Sequence, residues 1–148
     1  MPFEFSKRGE SVEGVATSEA SAPAVLIVED DPGTRELLER ELTRSGFDAF
    51  LVSSGREARQ AMEALVFPIA VIDRTLDDAD GIELIAELRA CYAGHRIYII
   101  LFSGLDSAEE QIRGMDAGAD AYVSKTSFPG ALMQEIAKGT DVARLSKR

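Results

Sequence analysis

Three kinds of side chain in this sequence could do chemistry together: the carboxylates of Glu29, Asp30 and Asp73, the hydroxyl of Ser103 and the ammonium of Lys125. Each stands at or just beyond the end of a short apolar run: Val25-Leu26-Ile27-Val28, Ile69-Ala70-Val71-Ile72, Ile97 to Phe102, and Ala121-Tyr122-Val123. Carboxylates brought close together repel and raise one another's pKa unless a cation relieves them. Hard oxygen ligands of this kind suit Mg²⁺, which keeps several of its waters. An Asp carboxylate is also a nucleophile that can form an aspartyl phosphate. Phosphoryl transfer needs positioning and charge neutralisation more than acid–base chemistry. A metal, a hydroxyl and an ammonium would supply both.

The elements between these residues alternate. The apolar runs read as buried strands, and Phe47 to Val52 as a less apolar strand at an edge. Asp31 caps a helix with Pro32 at its first position, whose apolar face is Leu37, Leu38 and Leu42 and whose end is Gly46. Helices follow over Glu57 to Leu65, Ile82 to Leu88 (Leu84, Ile85 and Leu88 facing in), Ala108 to Ala117, and from Gly130 to about Lys138. Five strands alternating with five helices imply an α/β fold, a doubly wound parallel sheet covered on both faces. Ligands of such sheets sit at the carboxyl ends of the strands, beside a switch in strand order. The chemistry-bearing residues stand at those ends.

Composition bounds the rest. The 148 residues suit one domain, and the lone Cys91 rules out an internal disulfide or a cysteine-based zinc site. Sixteen basic against 26 acidic residues leave a net charge of −10, which argues against the folded body alone binding nucleic acid non-specifically. No segment is long and apolar enough for a membrane span, and the first residues lack the apolar stretch of a secretory signal. The expected compartment is the cytoplasm. Residues 1–23 read as a disordered leader, 24–138 as the folded domain, and 139–148 as a C-terminal tail or the start of a linker. Phe3 and Phe5 are a floppy terminus in the simplest reading, with a docking motif as the alternative.

From about Val25 to Ile136 the chain resembles the receiver domains of bacterial two-component response regulators. The resemblance rests on Val25-Leu-Ile-Val-Glu-Asp-Asp-Pro32, the Asp73 to Asp80-Gly81 spacing, Ile99-Ile-Leu-Phe-Ser-Gly104, and Gly118-Ala-Asp-Ala-Tyr-Val-Ser-Lys125. It implies a (βα)5 flavodoxin-like sheet of strand order 2-1-3-4-5. It implies that Asp73 accepts a phosphoryl group from a histidine kinase or phosphotransfer protein, in a Mg²⁺-dependent reaction. Asp30 and Asp73 would bind Mg²⁺ directly, Glu29 through water, and Thr75 through its backbone carbonyl. Ser103 and Lys125 would bind phosphoryl oxygens. Tyr122, with Ser103, would be the switch, turning inward to alter the face made by the fourth helix, fifth strand and fifth helix. That face would serve partner binding, homodimerisation included.

The sequence departs from the family pattern at three places. Asp77 stands where a Pro usually follows the phosphoacceptor, which implies a loop of altered mobility with added negative charge. Thr126 replaces the Pro after Lys125, so the bond there is either trans, with a reshaped loop, or strained. Gly104 replaces the commoner Ala. Plainer readings stand beside the sharp ones: Tyr122 as packing, Ser103 as a turn residue, Asp77 and Asp78 as a solvated loop, His95 as a surface residue, Cys91 as structural filler, and Asp106 to Glu110 as a capped acidic first turn.

Such a domain catalyses only its own phosphorylation and dephosphorylation, so it is not an enzyme in the turnover sense. Two other functions compete. A haloacid-dehalogenase-type phosphohydrolase needs an Asp two residues after the nucleophile, where this chain has Thr75. A degenerate receiver acting as a scaffold is at odds with the intact acid set. The residues after Lys138 are too few for an output domain, so the expectation is a stand-alone receiver or one cut from a longer chain. In the second case, a loose resemblance through Tyr98–Leu101 and Ala137–Leu145 points to a diguanylate cyclase as effector.

Overall fold

The computed structural model describes residues 23–92 and 96–146, with side chains as far as Val142. In chain order the elements are β1 (Ala24–Val28), α1 (Pro32–Arg44), β2 (Asp48–Val52), α2 (Gly55–Ala64), β3 (Ile69–Asp73), α3 (Gly81–Cys91), β4 (Tyr98–Ser103), α4 (Ala108–Ala117), β5 (Ala121–Ser124), a 3-10 turn (Lys125–Ser127) and α5 (Gly130–Ser146). The strands form one sheet in the order β2-β1-β3-β4-β5, with every neighbouring pair parallel. β1 and β3 are buried along their whole length, as the continuous apolar runs require of strands covered on both faces.

Alternate residues of each strand feed two cores. Leu26, Val28, Phe50, Ile72 and Leu101 pack under α2 and α3 with Ala58, Leu84, Ile85 and Leu88. Val25, Ile27, Val71, Ile100 and Phe102 pack on the other face with Leu38 and Leu42 of α1 and Leu132 and Ile136 of α5. Leu37 belongs to neither core and is exposed, so the inward stripe of α1 is narrower than its leucines suggest.

The helix starts follow from local chemistry. Asp31 accepts from the Thr34 N–H at 2.8 Å, with Pro32 at the first helical position. Ser54 caps α2 at the Glu57 N–H, so that helix begins at Gly55, ahead of the Glu57 expected from the sequence. Asp80 and Ser107 cap α3 and α4. Gly118 ends α4 at φ +123°, a conformation that L side chains rarely adopt. α5 continues past Lys138 to Ser146. Cys91 lies at the exposed end of α3 and fills no core. His95, Phe3 and Phe5 lie outside the described residues, as does nearly all of the expected leader. No described helix is long and apolar enough to cross a membrane.

Candidate functional site

The sheet order places the ends of β1, β3, β4 and β5 side by side. Glu29 and Asp30 follow β1, Asp73 closes β3, Ser103 closes β4 and Lys125 follows β5. One carboxylate oxygen from each of Glu29, Asp30 and Asp73 lies within 4.8 Å of the others. Glu29 and Asp73 are buried, and Asp30 is half-buried. The Lys125 ammonium bridges the two buried acids, 3.2 Å from Glu29 Oε1 and 3.1 Å from Asp73 Oδ1. It also sits 5.5 Å from the centre of the Phe102 ring.

Electrostatics at this cluster are strained. Burial, and then the Asp73 charge, push the Glu29 carboxyl up to about 7 against the pull of Lys125. Burial works against the Lys125 ammonium, but Asp73 and Glu29 outweigh it and hold its pKa above the ordinary value. Glu29 Oε1 is buried, and among the described residues the group that meets it is the Lys125 ammonium, in an ion pair. A single ammonium thus faces two buried carboxylates with a third beside them. That donor set, hard oxygens with an unsatisfied buried acceptor, fits a divalent cation.

Backbone groups orient the acids. The Asp31 N–H donates to Glu29 Oε2 at 3.2 Å, and Arg35 Nη1 donates to the Glu29 carbonyl at 3.0 Å. The Thr75 N–H donates to Asp73 Oδ1 at 3.3 Å, which sets Thr75 at the rim of the cluster. The Asp77 N–H donates to Asp30 Oδ2 at 2.8 Å. Proline, usual at that place, has no N–H to give. The Asp77 backbone is thus a site group that sequence reasoning missed, since only the fold brings residues 30 and 77 together.

The loop after β3 is tied rather than loose. Asp78 accepts from the Gly55 and Arg56 N–H groups at 2.8 and 3.1 Å, capping the start of α2 from a distant part of the chain. Those bonds hold the Asp78 carboxyl below its usual range, the Gly55 bond first. α3 begins hard against the site: a Cβ on Gly81 would fall 2.1 Å from the Asp73 carbonyl oxygen. Only glycine permits that approach, which fixes α3 directly beneath the end of β3.

Ser103 and Tyr122 are engaged away from the acids. Ser103 Oγ accepts from the Leu105 N–H at 2.9 Å. The half-buried Tyr122 hydroxyl donates to the Leu105 carbonyl and to Asp106 Oδ1. Ser124 donates to the other Asp106 oxygen at 3.1 Å, so Asp106 ties the β4–α4 loop to β5. The bond after Lys125 is trans and lies within the 3-10 turn, which Ser124 caps by accepting from the Thr126 N–H at Oγ.

Comparisons with known proteins agree with this geometry. The response regulator receiver domain family matches residues 25–137. Protein PetR of Rhodobacter capsulatus is 38% identical over 120 residues, which cover 79% of this chain and 48% of that protein. The transcriptional regulatory protein GltR of Pseudomonas aeruginosa is 33% identical over 117 residues, 79% of this chain and 48% of the relative. The chain spans about half the length of these curated relatives. Among solved structures, a CheY-like response regulator receiver domain protein of Methanospirillum hungatei superposes with a TM-score of 0.78 at 27% identity, covering 85% of this chain and 99% of that one. With four strand ends converging on one acidic pocket and the family match running from β1 into α5, this chain belongs to the response regulator receiver domains of two-component signalling.

Proposed function

We propose that Asp73 is the phosphoacceptor of this receiver domain. The observation that carries the reading is the Lys125 ammonium 3.1 Å from a buried Asp73 that clusters with two further carboxylates. A carboxylate oxygen of Asp73 attacks the phosphorus of a phosphohistidine on a histidine kinase or phosphotransfer protein. The P–N bond breaks and the imidazole leaves with its electron pair. Asp30, Asp73 and the Thr75 carbonyl would hold Mg²⁺ directly and Glu29 would hold it through water, and the ion would supply charge neutralisation for the transferring group. Lys125 neutralises a phosphoryl oxygen. Ser103, released from Leu105, donates its hydroxyl to another.

The output is a population shift. Contacts to the phosphoryl group favour an arrangement in which Ser103 and Tyr122 leave the β4–α4 loop. The face that changes carries exposed Leu105, Ile112 and Met115, apolar groups suited to a partner or a second copy. The chain is a signalling domain whose chemistry is limited to its own phosphorylation and dephosphorylation. We place the receiver from residue 24 through α5, which carries the folded unit past the expected end at Lys138, and the protein in the cytoplasm, where phosphohistidine donors reside. Joined to an output segment, it would act in gene control, as the name of the Pseudomonas relative suggests, in preference to a cyclase output.

The test is incubation with a small-molecule phosphodonor and Mg²⁺, read by intact mass. One added phosphoryl group, lost in Asp73→Asn and in chelator, is the expected result. Phosphorylation that survives Asp73→Asn would overturn the assignment.

A further inference from the structure

We propose that Arg74 is a positioning residue that couples the state of Asp73 to helix α4 through its ion pair with Glu110, an inference that rests on Asp73 being the phosphoacceptor. Arg74 follows Asp73 directly in the chain, yet its side chain serves two helices. Nε donates to Glu110 Oε1 at 2.6 Å, and Nη1 to Asp80 Oδ1 at 2.7 Å. Glu110 lies in the first turn of α4, and Asp80 caps α3. The Arg74 side chain is 13% exposed and that of Glu110 17%, so solvent screens the pair poorly.

The two helices are not held alike. α3 is fixed to Arg74 by backbone as well, through the Gly81 N–H on the Arg74 carbonyl at 2.8 Å. The Arg74 N–H in turn bonds the Phe102 carbonyl at 3.2 Å, which anchors this stretch to β4. α4 meets Arg74 through the Glu110 carboxylate. The turn that Glu110 occupies follows the loop whose Leu105 N–H holds Ser103 Oγ. Glu110 has a second partner in Arg113, 3.1 Å away, on its own helix.

The direction of the effect follows from charge. A phosphoryl group on Asp73 adds about two negative charges at the residue next to Arg74 in the chain. They compete with Glu110 for the guanidinium. As the guanidinium turns from Glu110, the first turn of α4 loses its tie to β3, and the loop carrying Leu105 releases Ser103 toward the phosphoryl oxygens. Weakening the pair in advance therefore makes phosphorylation easier.

The experiment is a double-mutant cycle in the full chain: Glu110→Gln, Arg74→Gln and both together. Each is followed by the rate of phosphorylation with a small-molecule donor and Mg²⁺, and by amide hydrogen exchange over residues 108–113 before and after phosphorylation. In the parent chain, phosphorylation should raise exchange in that turn about fivefold or more, the lower end of an allosteric coupling. Glu110→Gln should raise exchange before phosphorylation and quicken phosphorylation by about the same factor. In the Arg74→Gln background, Glu110→Gln should do neither. An equal effect of Glu110→Gln in both backgrounds would make the pair a structural tie only and sink the proposal. So would exchange at α4 that ignores phosphorylation. A parent chain that takes up no phosphoryl group would bring down the functional reading and this proposal together; a phosphorylated parent with additive variants would bring down this proposal alone.

Discussion

Lys125→Met removes the ammonium and keeps the apolar stem, so it isolates the charge that Glu29 and Asp73 share. The acid side chains are 2% and 6% exposed, and that of Lys125 is 31% exposed. Deleting one partner of a buried ion pair costs about 3–5 kcal/mol. The solvent that reaches Lys125 screens part of that, which leaves about 2–3 kcal/mol at pH 8. Proton uptake sets a ceiling on the loss. Without the ammonium, Glu29 rises above its value of about 7 and binds a proton, because burial and the Asp73 charge both oppose its ionised form. At pH 5 Glu29 is already protonated with or without Lys125. Only the Asp73 contact is then lost, for about 1 kcal/mol. Urea unfolding in chelator at both pH values reads the difference, with an unchanged m-value showing that the two states stay comparable. Added Mg²⁺ should restore more stability to the variant than to the parent chain. An equal cost at pH 5 and pH 8 would refute the reasoning, since it would mean that Lys125 does not neutralise Glu29.

Three further outcomes follow from the same geometry. Because the folded Glu29 pKa is raised from 4.5 to about 7, the folded state holds the extra proton across that window. Its contribution is full below pH 4.5 and lost as the pH rises to about 7, by up to about 3 kcal/mol in chelator, and a Glu29→Gln chain should lack that share of the slope in a melting series. Gly81→Ala drives a Cβ against the Asp73 carbonyl, which should lower stability by about 1–3 kcal/mol and slow phosphorylation of the molecules that remain folded; unchanged phosphorylation would separate α3 packing from the site. Asp78→Ala unties the β3–α3 loop from α2, so amide exchange should rise at Gly55 and Arg56 and stay unchanged at α5; protection that persists at those two amides would show that the cap is held by other means.

The strand ends were legible because each buried strand is an unbroken apolar run that stops at a polar residue. The periodicity showed alternation of strands and helices. It did not give the strand order, which came from the family resemblance. Leu37 misled because three leucines suggest one broad face, while the chain turns only Leu38 and Leu42 inward. The end of α5 misled for a different reason. The helix runs on through Gly139, whose missing side chain makes room for the Tyr98 ring, which a Cβ would approach to 2.6 Å. The site itself was half legible. Its ionisable residues could be found one by one, since each stands at a strand end. The bonds that orient them join residues far apart in the chain: Asp30 with the Asp77 N–H, Asp78 with Gly55, and Arg74 with Glu110. No local pattern announces such pairs.

Arg89 gives the fold a stiff pole opposite the chemistry. From α3 it donates to the Gly118 carbonyl at 2.7 Å, to the Ile97 carbonyl at 2.8 Å and to the Asp120 carboxylate, which also accepts from the Ile99 N–H. Gly118 is the residue that closes α4. That helix is therefore a beam with one end clamped to the frame and the other held by the Arg74–Glu110 latch and by the loop that Tyr122 and Ser124 tie down. With a length of about 15 Å, a tilt of about four degrees at the clamp moves the latch end by about 1 Å. On the proposed coupling, the clamp would turn small events at Asp73 into travel at the latch end and would keep the root of β4 still.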